Sequence, residues 1–324
     1  VRIREHHVGR RARRASLGVL AVTAALLMAA PASPAHGAPG ADYLYVAGSA
    51  SDRLLGYRVG PEALPRLVAD VATGFGNLSV KESADHRFLY VLTIAPTRRG
   101  AAVAIGPVGS PAGGPVPMPV VSPDSLNVYV SNYAAGSVTR FELRADSTVS
   151  PARETMRTGG GPVSPSFSPD GQYLYTANEH TSSVSVFRQQ PSTGALVEVA
   201  GSPFPATGLT PHGIGLSPDG RFLYTPNALT NDISGFAVEP DGALRPLPGS
   251  PFPGGPVGTL PGQVFVSSDG QRLYAVDLAG TSPAPAAALR SYRIAPDGTL
   301  TPDPAPAVGT GLLFSAASML VAGR

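Results

Sequence analysis

Cysteine is absent from the 324-residue chain, so neither disulfides nor thiolate chemistry can operate. Tryptophan is absent too, and Lys81 is the only lysine, which leaves one candidate at most for Schiff-base chemistry. Charged residues make up only 14%. Beyond residue 37 the only histidines are His86, His180 and His212. None stands at metal-ligand spacing from another, so no metal site and no cofactor are expected. The Asn231-Asp232 segment offers one carboxylate, too few for a calcium ion that takes six or more oxygens. No Gly-x-Ser-x-Gly occurs in a strand-to-helix context. Gly159-Gly160-Gly161 lacks the Gly-Lys-Ser/Thr that completes a phosphate loop, and reads as a turn.

What is present is turn chemistry and apolar character together: Gly 38, Pro 35 and 43% hydrophobic residues. That composition is too apolar for a disordered chain and suits many short strands joined by turns. Outside the N-terminal region no window sustains an apolar period of 3.6, so helices are not expected.

The first residues have their own pattern. Arg10, Arg11, Arg13 and Arg14 precede an apolar run from Leu17 to Ala30, and small residues follow at Ala35 to Ala38. This is the pattern of a signal peptide over 1–37, followed by one domain over 38–324. Arg13-Arg14 faintly resembles a twin-arginine signal, and the general secretory route is the preferred reading. The expected location is therefore secreted or at the cell surface, without a stable membrane span after leader removal. Residues 1–37 carry six arginines against Glu5. Setting them aside turns the formal net charge of +2 into −3, with 18 bases against 21 acids. A mildly acidic domain gives no electrostatic reason to bind nucleic acid.

A repeat organises the rest. An apolar-Tyr pair recurs with its Tyr at Tyr45, Tyr90, Tyr129, Tyr175, Tyr224 and Tyr274, at intervals of 39 to 50 residues. Turn signals precede most pairs: Ser122-Pro-Asp, Ser168-Pro-Asp-Gly, Ser217-Pro-Asp-Gly and Ser267-Ser-Asp-Gly. An aromatic follows twelve residues later at Tyr57, Phe141, Phe187 and Phe236, and eighteen later at Tyr292, which places extra residues around Thr281 to Ala287. These aromatics are expected between blades. The second repeat is degenerate, with Ala102 at that position.

Each unit reads as four short strands, here called A to D: Gly213 to Ser217, Phe222 to Pro226, Asp232 to Val238 and Leu244 to Pro248 in the clearest copy. This predicts an all-β, closed β-propeller of four-stranded antiparallel blades, six by count with seven possible. Leu312 to Ala322 has the character of a lone A strand and is expected to pair with the B strand Asp42 to Ala47, closing the ring.

The repeats resemble the lactonase-type, YVTN-repeat β-propeller family, whose relatives include a bacterial 6-phosphogluconolactonase and carboxymuconate-cyclising enzymes. The segments that carry the resemblance are Tyr129-Val-Ser-Asn-Tyr, Ser168-Pro-Asp-Gly-Gln-Tyr-Leu-Tyr-Thr-Ala-Asn-Glu and the two Gly-Ser-Pro-Phe-Pro copies at Gly201 and Gly249. The resemblance implies a His, a Glu and an Arg on one face of the disc in catalytic members. Here Ser164 stands in the place of the His, Glu179 matches the Glu, and Ala228 stands in the place of the Arg.

Strand alternation puts the D–A and B–C loops on one face and the A–B and C–D turns on the other. The loop face collects Asn132 to Gly136, Gly159 to Ser164, Asn178 to Ser182, Gly208 to His212, Asn227 to Asp232 and Asp277 to Ala287. Rigid scaffolds place function on such loops. Ser164, Glu179, His180, His212 and Asn227 are the candidate site residues, with Glu179 the catalytic candidate. Two functions stay open. One is a monomeric binding protein for a small molecule, glycan or protein. The other is a lactone hydrolase or cyclase using Glu179 with an imidazole.

Overall fold

The structure, a computed structural model, describes residues 24–25, 42–48, 53–60, 63–72, 75–82, 89–95, 102–103, 118–144, 149–255, 259–279, 288–304, 306–312 and 317–321. Regular structure among them is entirely β, and no helix there is long and apolar enough to cross a membrane. The leader, apart from the two-residue strand Ala24–Ala25, lies outside the described residues. So do His86 and the loop around Thr281 to Ala287.

The described strands fall into seven antiparallel sheets: six are here called blades I to VI, and the seventh is the short pair Ala24–Ala25 and Ala102–Val103. Blade I runs Ala317–Val321, Asp42–Ala47, Arg53–Gly60, Ala63–Ala72. Blade II is the pair Phe75–Glu82 and Leu89–Ala95, which carries Tyr90 of the degenerate second repeat. Blade III runs Met118–Val121, Asn127–Asn132, Ser137–Glu142, Glu154–Arg157. Blade IV runs Pro162–Phe167, Tyr173–Asn178, Ser183–Gln189, Leu196–Glu198. Blade V runs Gly215–Leu216, Phe222–Asn227, Asp232–Val238, Leu244–Pro246. Blade VI runs Leu260–Val266, Arg272–Ala279, Ala288–Ile294, Leu300–Pro302. The family of four strands expected from the repeat is therefore seen in five of the six blades.

Blade I is built from both ends of the domain, as the sequence predicted. Tyr43 pairs with Val321 and Ala47 with Ala317, in unbroken antiparallel register. The expected D strand differs in blades IV to VI. There the outer edge of strand C pairs with two short pieces: Phe204–Pro205, Phe252–Pro253 and Val308–Gly309 follow the first pieces along the same edge. The Gly-Ser-Pro-Phe-Pro copies cause two of these breaks. Proline cannot donate to a ladder, and Ser202–Pro203 and Ser250–Pro251 are cis.

The A–B turns repeat atom for atom. Ser168, Ser217 and Ser267 each donate Oγ–H to the Asp two residues on, at 2.6 Å. That Asp accepts the backbone N–H of Gln172, Arg221 or Gln271 in turn. Gly171, Gly220 and Gly270 follow at φ of 71–73°, a left-handed conformation that glycine adopts without a Cβ penalty. Ser125 takes the same place in blade III at φ 59°.

Blades are joined face to face. The B-strand tyrosines Tyr129, Tyr175, Tyr224 and Tyr274 are fully buried, as are the C-strand aromatics Phe187, Phe236 and Tyr292. Each apolar cluster spans two neighbours: Tyr129 with Leu174 and Phe187, Tyr175 with Leu223 and Phe236, Tyr224 with Val264 and Tyr292, and Leu44 with Tyr274 and Leu289. Two of the four B-strand phenol tips reach the next blade's C–D turn, Tyr129 donating to the Gly194 carbonyl at 2.5 Å and Tyr224 to that of Gly298 at 2.7 Å, whereas the buried Tyr175 and Tyr274 hydroxyls make no hydrogen bond among the described residues. A Cβ at Gly242 or Gly298 would lie 2.4 or 2.5 Å from the ring of Tyr173 or Phe222, about an ångström inside van der Waals contact.

Two measurements test this account. Truncation after Gly311, which removes the closing strand, is expected to lower the melting temperature by on the order of 10 °C, since it leaves two sheet edges unpaired. An unchanged melting temperature would show that closure does not hold the ring. Tyr224→Phe is expected to cost about 1–2 kcal/mol in denaturant unfolding, because the buried Gly298 carbonyl loses its donor.

Candidate functional site on the loop face

Every B strand from blade III to blade VI carries a buried polar residue at or near its end: Asn132, Asn178 and Asn227 as the last residue, and Asp277 two residues before the last. Each anchors the loop that follows it. Asn178 Nδ2 donates to Ser183 and Ser185, and Asn227 Nδ2 donates to Asp232 and Ser234. The same serines accept the backbone N–H of the D–A connection, Gly159 to Ser185 at 3.1 Å and Thr207 to Ser234 at 3.0 Å. Blade VI replaces the Asn–Ser pair with Asp277 and Arg290, whose guanidinium donates to Asp277 at 3.0 Å. Burial pushes the Asp277 carboxyl up to about 6 despite the attraction of Arg290.

On this frame the loops of three consecutive blades converge. Tyr133 comes from the B–C loop of blade III, Glu179 and His180 from that of blade IV, and His212 from the D–A loop of blade V. Tyr133 Oη donates to Glu179 Oε2 at 2.6 Å. His212 Nε2 lies 3.3 Å from Glu179 Oε1. Tyr133 Oη also lies 2.9 Å from His180 Nε2, with the two rings edge to face at 4.9 Å. The single phenol proton is committed to the carboxylate, so the His180 contact requires a proton on Nε2. The result is one polar chain, His212–Glu179–Tyr133–His180, that runs from a mostly buried imidazole to an exposed one.

The two ends differ in electrostatics. The side chains of His212 and Glu179 are only 15% and 13% exposed. Burial lowers the His212 pKa, opposed by the Glu179 charge and more weakly by backbone groups of Gly262 and of His212 itself. His212 is therefore neutral near pH 7, with its proton on the Nε2 that faces the carboxylate. Its Nδ1 is buried, and the Gly262 backbone does not complete a hydrogen bond to it. Burial and the bond to Glu179 push the Tyr133 phenol up to about 12.

Toward the disc axis, Ser164 Oγ donates to the His212 carbonyl at 2.9 Å and accepts from Gln263 Nε2 at 3.1 Å. Its backbone N–H faces the Met118 sulfur at 3.1 Å. Innermost strands of blades III, IV and VI thus meet the loop of blade V around Ser164. Four of the five non-glycine residues with positive φ sit on this face: Ser164, Ser182, Thr210 and Asn231. Thr210, β-branched at φ 60°, is held by its N–H to Ser182 Oγ and its carbonyl to the Ala228 N–H. Such conformations cost roughly 1–3 kcal/mol each and concentrate where function constrains a loop.

Residues 150–255, which carry Ser164, Glu179, His180, His212 and Asn227, match the model of the family described as Lactonase, 7-bladed beta-propeller. Solved structures match over nearly the whole chain. One is a "putative 6-phosphogluconolactonase" from Bacteroides uniformis, at 21% identity and a TM-score of 0.60, over 86% of this chain and 85% of that one. Another is the periplasmic gluconolactonase PpgL of Pseudomonas aeruginosa, at 21% identity and a TM-score of 0.56, over 88% and 100%.

The fold is that of a β-propeller.

The same disc also matches a chain of the nidogen/laminin complex, at 10% identity and a TM-score of 0.57, over 87% and 99%. Identities at this level establish architecture alone. No curated protein sequence matches the chain. The family description has seven blades, whereas the described residues of this propeller form six blades and one further two-stranded sheet.

Of the residues singled out from sequence, Glu179, His180 and His212 come together and Ser164 adjoins them through the His212 carbonyl. Asn227 does not face the loop surface: it is fully buried and shapes the loop from beneath. Ala228, in the place of the family's Arg, is also buried. Sequence reasoning missed Tyr133, Gln263 and Met118. The Tyr after Asn132 was visible within the repeat segment, and Gln263 was a polar residue in an otherwise apolar strand. No metal-holding group of three His, Cys, Asp or Glu occurs among the described residues.

The depressed His212 pKa has a defined sign. The unfolded chain protonates near pH 6.5 and the folded one only below that. Folding stability is therefore independent of this group above about pH 6.5 and falls as pH drops below it, by up to about 1.4 kcal/mol per unit. His212→Asn is expected to flatten that slope in urea titrations between pH 7 and 5. Identical slopes would place His212 in a solvated setting.

Proposed function

We propose that this exported propeller is a binding protein for a small, hydroxyl-bearing ligand of lactone or sugar type, taken up on the loop face at Glu179. The observation that carries the reading is the state of Glu179 itself. Its carboxylate is held by Tyr133 and His212 and balanced by no lysine or arginine at the place where the family has its Arg, Ala228. Each carboxylate oxygen retains lone-pair capacity beyond those contacts, which suits a ligand hydroxyl. Binding is favoured over hydrolysis by three details. Ser164 replaces the imidazole of catalytic relatives. Ala228 replaces their cation. The His212 nitrogen that does not face Glu179 is buried, so His212 offers no outward-facing base.

A second reading has one observation in its favour: blade V supplies an imidazole 3.3 Å from Glu179, in compensation for the one lost at Ser164. In that reading Glu179 and His212 activate water toward a lactone carbonyl.

Purified protein is expected to hydrolyse 6-phosphogluconolactone no faster than buffer, followed by proton release at constant pH. Saturable turnover abolished by Glu179→Ala would establish the second reading instead. For binding, Glu179→Gln is expected to weaken a hydroxylated lactone by about tenfold or more, the loss of a charge-assisted hydrogen bond. Asp170→Asn and Asp219→Asn, in the turns of the opposite face, are expected to change stability and leave affinity unaltered. A ligand indifferent to Glu179 yet sensitive to the outer strands would move the site to the rim.

A further inference from the structure

Seven large apolar side chains are exposed among the described residues, and five lie on outer strands or on the turn face. The other two, Leu209 and Leu229, are on the loop face, 53% and 71% exposed. A single exposed leucine needs no explanation. These two are coupled. The Leu229 N–H donates to the Leu209 carbonyl at 3.3 Å, and the Leu209 N–H donates to Thr230 Oγ1 at 3.0 Å. The next residue, Thr210, is the strained one, tied to Ser182 and Ala228. Leu209 is three residues before His212, Ser182 is three after Glu179, and Leu229 directly follows Ala228. Two exposed leucines are therefore fixed by backbone hydrogen bonds at the edge of the Glu179 cluster, on loops whose conformations are otherwise costly.

Resting on the reading of Glu179 as a ligand-binding group, we infer that the ligand carries an alkyl tail that lies on Leu209 and Leu229. The class is a hydroxylated lactone with a short aliphatic substituent, in place of a fully hydroxylated sugar lactone. The hydroxyl meets the Glu179 carboxylate, and the tail removes both leucines from water.

The test is calorimetric titration of the intact protein with α-hydroxy-γ-butyrolactone bearing no tail, a propyl tail or a hexyl tail at the γ carbon. Affinity is expected to rise about two- to fourfold per methylene until the leucines are covered. The double variant Leu209→Ser, Leu229→Ser is expected to erase that chain-length dependence and keep the affinity of the tail-free compound. Both positions are exposed loop residues, and an unchanged melting temperature verifies that the variant is folded. Glu179→Gln is expected to weaken all three compounds alike. Affinity that ignores tail length, or a dependence that survives the double variant, overturns the tail proposal and leaves the Glu179 site standing. Tail-dependent binding untouched by Glu179→Gln overturns the Glu179 reading, and binding of none of the three overturns both.

Discussion

A four-stranded blade has two apolar faces and no means of covering either by itself. Every other feature of the molecule follows from the need to cover them with a neighbouring blade. The buried tyrosines of the B strands and the aromatics of the C strands are the material of that contact, and they bury large apolar areas with a polar handle at one end. The handle then sets the register between blades, because Tyr129 and Tyr224 find their acceptors only on the next blade's C–D turn. Glycine at those turns is the matching requirement, since any side chain at Gly242 or Gly298 would displace the ring beneath it.

This division of labour leaves the two faces of the disc with different duties. The turn face is a set of near-copies in which Ser, Asp and Gly satisfy one another and the local backbone. The loop face is anchored from below by buried Asn residues, and above that anchor the loops are free to differ. Glu179 shows what the arrangement permits. Its partners come from the two flanking blades, so the geometry of the cluster is fixed by blade packing and not by any one loop. Ser164 stands in the same blade as the carboxylate, and the imidazole His212 approaches from the neighbour.

The architecture was legible in the sequence because its signals are local and repeated. The Tyr interval, the Ser-Pro-Asp-Gly turns and the displaced A strand each state a strand boundary, and the pairing of Asp42–Ala47 with Ala317–Val321 followed from counting them. The broken outer strands were less legible, since a proline can end a strand or merely interrupt it and only the partner edge decides. At the site, Glu179 and His212 were visible as loop residues, but their contact depends on Thr210 and Ser182 in left-handed conformations that no glycine advertises. Tyr133 was hidden for a related reason. A tyrosine beside the repeat's asparagine carries no mark that separates a structural ring from one that donates to a carboxylate in the next blade.

The shared composition of blade I sets an order of events during synthesis. A ribosome delivers Asp42–Ala47 about 270 residues before Ala317–Val321, so the first B strand waits for its partner while the intervening blades are made. Blades III to VI contain all of their own strands and can form as their residues emerge. The closing pair spans the longest loop in the domain, and its entropic cost is met only once the intervening blades have shortened the gap. The nascent protein therefore carries an exposed sheet edge until its final strand arrives, and that interval is when it most needs protection from pairing with other chains.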